Sequence, residues 1–193
     1  MFDLFESNER ERGALVSSLD TRPIYVHGGI ANETLPDVRA FMEIWQTARG
    51  ERFAPSWSEL DLIDFPSHII PLVYVVDVER DPLRFRYRFI GSKVCEFEGT
   101  DYTGQYVCDL KPAAVGQAAQ SAFERFLDDP EPRFFAMLVD ELDHMPHVFS
   151  IYGGIRVPLS DDNKEVHQIM GLAQFETEHK LLRKYYWEMV RRA

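Results

Sequence analysis

The chain has 193 residues, 45% of them hydrophobic and 13% aromatic, and its 32 acidic against 21 basic residues leave a formal net charge of −11. That length suits one domain with extensions, and the composition supports a sizeable core. An acidic surface repels phosphate backbones, which argues against a nucleic-acid binder, and two cysteines, Cys95 and Cys108, are too few for a disulfide framework or a zinc ribbon.

The first thirty or so residues are charged and weakly patterned, and read as an arm or a short helix. They carry no basic leader followed by an apolar run, and no apolar stretch approaches the ~20 residues of a membrane span. The expectation is a soluble cytoplasmic protein. "VHGGI" at 26–30 superficially resembles a hydrolase oxyanion loop, but no Gly-x-Ser-x-Gly elbow accompanies it, so it reads as a turn.

"TLPDVRAFMEIWQTARG" is the first clear element. Thr34 can cap, Pro36 suits a first turn and Gly50 ends it. Val38, Phe41, Met42 and Trp45 fall at i, i+3, i+4 and i+7, one face of a helix. A compact connector follows to Pro66. "PLVYVVDVE" (71–79) is a near-continuous apolar run, as in a strand buried on both faces.

"LRFRYRFIG" (83–91) alternates arginines with aromatic rings. Single-stranded nucleic-acid platforms use that mixture, but so does any half-buried strand. The charge balance decides for the strand, with Phe85, Tyr87 and Phe89 on one face. Arg84, Arg86 and Arg88 then sit on the other, available to acids on neighbouring elements. Short pieces around Gly99, Gly104 and Pro112 lead to an alanine-rich helix over 113–129. Strands are predicted over 132–141, 147–160 (with a bulge at Gly153-Gly154) and 166–175. "EHKLLRKYYWEMVRR" reads as a final helix.

Strands grouped around a block of helices argue an α+β fold with one antiparallel sheet. Here the residues carry a resemblance. The element order looks like a PAS domain. "EIWQTARGERFAPSWSELDLIDFP" (43–66), "LRFRYRFIGSKVCEFEGTDYTGQYVCDL" (83–110) and "RVPLSDDNKEVHQIMG" (156–171) resemble the proteobacterial, stand-alone PAS_5 type. The resemblance implies a five-stranded sheet in the order 2-1-5-4-3 with a helical block on one face. It also implies a sensory or protein-interaction role with no settled ligand. The expected organisation is an arm (1–33), an N-terminal helical extension (34–66), the PAS-like domain (67–176) and a C-terminal amphipathic helix (177–193).

PAS-like domains carry cofactors through particular residues. Cys108, in "GQYVCDL", lacks the polar context of a photoactive flavin site, and 113–129 contains no histidine for haem, so no cofactor is expected. The sheet and helical block of such a domain normally enclose an apolar cavity. Candidate lining residues are Tyr87, Phe89, Phe97, Phe126, Met137 and Tyr152, and a small apolar ligand is the corresponding occupant. Core filling is the favoured role, because aromatic residues and Met are default core material.

His144 and His147 lie three apart beside Asp140 and Asp143, and His167 could join from the next strand. No recognised ligand spacing is completed. These residues stand as weak metal candidates and define the competing reading, a metal-dependent enzyme or binder. A DNA-binding regulator is a third reading.

Phe41, Met42 and Trp45 of the first helix, with Leu182, Tyr185, Tyr186 and Met189 of the last, are candidate interaction residues. Lys180, Arg183 and Lys184 make the last helix basic and amphipathic. Such a helix suits a membrane surface, a partner groove or its own sheet, and the aromatic stripe on an acidic protein favours packing over membrane. The reading is a non-enzymatic bacterial regulatory module, a homodimer acting on a protein partner in signalling. Nucleic acid and membrane are not expected as partners.

Overall fold

A computed structural model describes residues 24–27, 35–139 and 150–175. Six antiparallel strands form one sheet: β1 (Ile24–His27), β2 (Val73–Glu79), β3 (Arg84–Ile90), β4 (Arg133–Val139), β5 (Ser150–Leu159) and β6 (Gln168–Phe175). The order across the sheet is β1-β4-β5-β6-β2-β3. With β1 set aside, the remaining five strands have the expected 2-1-5-4-3 order. The sixth strand lies within residues first read as an arm. Its short β-branched and aromatic run IYVH pairs with β4 from Ile24 opposite Ala136 to His27 opposite Arg133.

Helix α1 (Pro36–Arg49) begins on a proline and ends where the Gly50 amide donates to the Gln46 carbonyl. Its apolar stripe, Val38, Phe41, Met42 and Trp45, is buried. The stripe joins Val73, Val75, Phe134, Ile155, Val157, Met170 and Leu172 in one cluster. In register, Val73, Leu172, Ile155 and Phe134 lie side by side across four strands, so they share a sheet face. The Trp45 indole Nε1 donates to the Pro158 carbonyl at 3.0 Å. This satisfies the one polar atom that burial of the ring would otherwise leave unpaired. Phe41, Met42 and Trp45 are therefore spent in the chain's own core. They anchor α1 on the sheet and do not present an interaction surface. A stripe predicted from period alone does not say whether the covering partner is intramolecular.

The opposite face is covered by α2 (Ser92–Glu98), a 3-10 turn at Val107–Asp109 and α3 (Ala113–Asp128). Tyr74, Val76, Val78, Phe85, Phe123, Phe126 and Ile169 form its core. Two helical layers thus enclose one sheet, which explains why β2 and β6 are buried nearly throughout.

The register of β2 and β3 corrects the simple alternation read in "RFRYRF". Val75 pairs with Phe89 but Val76 pairs with Tyr87, a bulge that leaves Arg88 as the extra residue. Neighbouring residues of β2 face opposite ways. Phe89 therefore shares the α1 face with Val75, while Tyr87 and Phe85 share the other.

The arginines lie on the edge strand and meet acids of β2. Arg88 Nε reaches Asp77 Oδ1 at 2.6 Å and Arg86 Nε reaches Glu79 Oε1 at 2.9 Å. Arg84 Nη2 lies 3.5 Å from the same glutamate and stacks over the Tyr106 ring at 4.1 Å. Charges along an exposed edge discourage a second chain from pairing there.

No bulge occurs at Gly153-Gly154, since β5 pairs in unbroken register with both neighbours there. The reason for glycine is close approach. A Cβ on Gly154 would lie 2.2 Å from the Leu172 carbonyl oxygen.

Candidate functional site

The site is built on the sheet face beneath α2 and α3. In register, Tyr74 of β2, Gly171 of β6 and Arg156 of β5 form one row. Gly171 presents no side chain, and a Cβ there would run into the Tyr74 ring at 2.1 Å. The phenol crosses over the glycine, and Arg156 Nε donates to its hydroxyl at 3.0 Å. The guanidinium sits between the Phe123 and Phe135 rings, 4.1 and 4.3 Å from their centroids. Its Nη1 lies 3.4 Å from the Ala122 carbonyl. Arg156 is 6% exposed. Ring faces and hydrogen bonds together stabilise a cation this far from water.

Aromatic contacts continue from this row. Phe135 meets Tyr152 edge-on at 5.4 Å. Tyr152 stacks on Phe97 at 5.8 Å and on Phe175 at 5.6 Å, and Phe97 stacks on Phe175 at 4.3 Å. On the β3 side, Tyr87 stacks on Tyr102 at 6.3 Å.

Burial pushes the Tyr87 and Tyr152 phenols far above the ordinary tyrosine range. The Glu98 carboxylate adds to the upward shift and the Arg156 cation opposes it. Both tyrosines nevertheless retain accessible surface. Tyr102 is likewise raised by burial and then by Glu98. Glu98 is half-buried at the end of α2. The Cys95 thiol is also raised, first by burial and then by Asp101.

Of the residues expected to line a cavity, Phe97 and Tyr152 stack on each other, while Tyr87 stacks on Tyr102. Phe89 lies on the α1 face because of the β2–β3 bulge. Phe126 is sealed in the core under α3. Met137 pairs with Tyr152 in the β4–β5 register. Sequence reasoning missed Tyr74, Glu98, Tyr102, Arg156 and Phe175. One signal was present for Arg156: a single charge within the apolar run "GGIRVPL". Such a charge on a central strand points either to solvent or to an interior polar group.

His144, His147, Asp140 and Asp143 lie outside the described residues, as do Leu182, Tyr185, Tyr186 and Met189. His167, the other weak metal candidate, accepts a hydrogen bond at Nδ1 from the Asp161 amide at 3.2 Å. No cluster of three metal-ligating side chains occurs among the described residues, and no helix among them is long and apolar enough to cross a membrane. A separate open groove of about 420 Å³ lies on the α1 side, where Ile44, Ala48 and Leu60 are flanked by Glu43, Glu59, Asp61 and Asp64.

The fold is similar to those of several solved structures. One is the PAS domain of Bordetella pertussis BvgS (18% identity, 65% of this chain and 93% of that one, TM-score 0.43). Another is a light-oxygen-voltage domain studied with a flavin analogue (14% identity, 60% and 86%, TM-score 0.42). A third is an RNA-binding light-oxygen-voltage receptor (12% identity, 90% and 44%, TM-score 0.45). No curated protein matches the chain. The family described as PAS domain, PAS_5, matches residues 34–174. With most of its length covered by that match and its five core strands in the expected order, the chain belongs to the PAS_5 family of PAS domains.

Proposed function

We propose that this protein is a non-enzymatic sensory module that binds a small molecule between the sheet and the α2–α3 layer and reports occupancy through protein contacts. The observations that carry the reading are the PAS-domain family match over residues 34–174 and the aromatic group of Phe97, Tyr152 and Phe175 gathered beneath α2. The proposed ligand space lies beside Tyr87, Tyr102 and Tyr152, which are only partly buried where they pack against the core. A ligand there would bear on the segments joining β3 to α3. The transmitting surface is a protein partner's binding face, with a homodimer as the working unit, since PAS domains commonly mediate protein contacts and dimerisation. The β3 arginines are engaged by Asp77 and Glu79, which supports the absence of a nucleic-acid partner. A cytoplasmic location goes with this reading.

Native mass spectrometry of freshly purified protein tests it. A retained small molecule, lost on partial unfolding, and a dimer mass are expected. A bare monomer that also binds no small molecule in a fragment screen would overturn the reading.

A further inference from the structure

We infer that the open groove on the outer side of α1 is the docking site for residues 178–192 of the same chain, a basic amphipathic stretch that complements it in charge and in apolar pattern. Three observations point this way.

The first is the apolar floor. Ile44 and Ala48 lie four apart on α1, so they share a side of the helix, and both keep accessible surface. With Leu60 they floor a groove of about 420 Å³. Ile63, next to the groove residue Asp64, is 80% exposed, which carries the apolar surface past the floor.

The second is charge. Glu43, Glu59, Asp61 and Asp64 form the rim. Arg52 already pairs with Glu59 at 2.8 Å, and Asp61 Oδ1 accepts from the Ile63 amide at 3.1 Å. Glu43 and Asp64 are exposed and make no ion pair among the described residues. A cation brought to them is attracted without breaking an existing pair. Residues 178–192, outside the described residues, carry five Lys or Arg against two Glu, with Leu182, Tyr185, Tyr186 and Met189 at helical spacing. An apolar stripe flanked by cations is the counterpart of an apolar floor flanked by carboxylates.

The third is reach. Trp45 bonds to the Pro158 carbonyl, and Pro158 pairs with Ile169, so the groove end of α1 lies by the start of β6. Strand β6 ends at Phe175, ~20 Å further on at about 3.3 Å per residue. A helix over 178–192 would span ~22 Å, enough to run back and bring Met189, Arg191 and Arg192 to the groove. Groove and aromatic stripe would then cover each other, so a partner that engages either must displace the other.

Hydrogen exchange of the full chain, read by peptide mass spectrometry, decides. Amides of 185–192 are expected to exchange about tenfold slower than in an unfolded chain, at every protein concentration. Thr47→Arg, at an exposed position in the groove, should remove that protection while the amides of β2 and β6 keep theirs. If that variant does not fold, the exposed pair Glu43→Lys and Asp64→Lys should do the same, and adding Arg191→Glu and Arg192→Glu should restore the protection. Absent protection, protection that grows with protein concentration because a second copy fills the groove, protection indifferent to the groove variants, or a charge swap that restores nothing overturns the inference. Each of these leaves the ligand-binding reading standing.

Discussion

Tyr74 and Arg156 lie two strands apart, yet the Arg156 Nε–H reaches the Tyr74 hydroxyl at 3.0 Å because Gly171 between them has no side chain. Tyr74→Phe removes an acceptor from a buried cation, and a hydrogen bond to a charged group is worth about 1.5–3 kcal/mol. Gly171→Ala places a methyl where the Tyr74 ring lies, and overpacking of this kind costs about 1–3 kcal/mol. Urea titrations of the two single variants and the double variant check the coupling. The double variant should lose less than the sum, since both changes break one bridge. Strict additivity would mean that Gly171 does not serve the Tyr74–Arg156 contact.

Helix α1 should be indispensable to the fold. Phe41 and Trp45 are fully buried against the sheet, and truncating such rings to Ala costs about 3–5 kcal/mol each. Either change should lower the thermal midpoint sharply, whereas Glu43→Ala, on the exposed side of the same helix, should not. A thermal melt in which the Trp45 and Glu43 variants coincide would contradict the packing.

Strand β3 offers a sharper comparison. Phe85 is fully buried, while the Arg86 side chain is 44% exposed beside Asp77 and Glu79. Phe85→Ala should cost about 3–5 kcal/mol. Arg86→Ala should cost under about 1 kcal/mol, because exposed ion pairs contribute little. Phe89, on the other side of the bulge and only half-buried, should fall between them. Chevron or urea data giving Phe89 the largest loss would place the bulge elsewhere.

Acid should loosen the β5–β6 turn. The amides of Glu165 and Lys164 donate to Asp162 Oδ1, both at 2.9 Å. They hold its pKa at about 2, against an ordinary value of 3.8. A depressed folded-state pKa means that the unfolded chain binds the proton first. The stabilisation is therefore present above pH ~4 and lost as the pH falls towards ~2. Carboxyl chemical shifts should show the low titration directly. Asp162→Ala should flatten that part of the stability profile, and an unchanged profile would assign the acid limb to other groups.

Alkali should act in the opposite sense at the buried phenols. The Tyr87 and Tyr152 phenols are raised by burial, so above pH ~10 the unfolded chain releases protons that the folded chain keeps, and stability falls as pH rises. Absorbance titration at tyrosinate wavelengths should show these phenols ionising only as the fold is lost. Reversible ionisation of all the tyrosines in the folded protein would mean that these phenols reach bulk water.

Much of the fold was legible because it rests on local periodicity. The stripe of Val38, Phe41, Met42 and Trp45 repeats at helical spacing, and the apolar run from Val73 to Val78 suits only a strand covered on both sides. The resemblance then supplied the strand order. The site was less legible, because its members come from separate elements. Tyr87 was found through its strand, but Glu98 lies in a short helix with no pattern of its own. Nothing near Tyr74 in the chain indicates that it meets Arg156.

Composition and periodicity by themselves determined an acidic α+β chain, the approximate positions of α1, α3 and strands β2 to β6, and the need for an apolar layer on each side of the sheet. These are properties of a residue and its near neighbours, set by side-chain period and charge. Only the tertiary structure decided that α1 meets that need within the chain, that residues 24–27 extend the sheet, and that one extra residue, Arg88, turns Phe89 away from Tyr87. It also decided that Arg156 is anchored inward, against Tyr74, Phe123 and Phe135. Each depends on pairing register and on which buried face meets which. Those outcomes are set by contacts between residues distant in sequence, where a shift of one position reverses every side chain that follows.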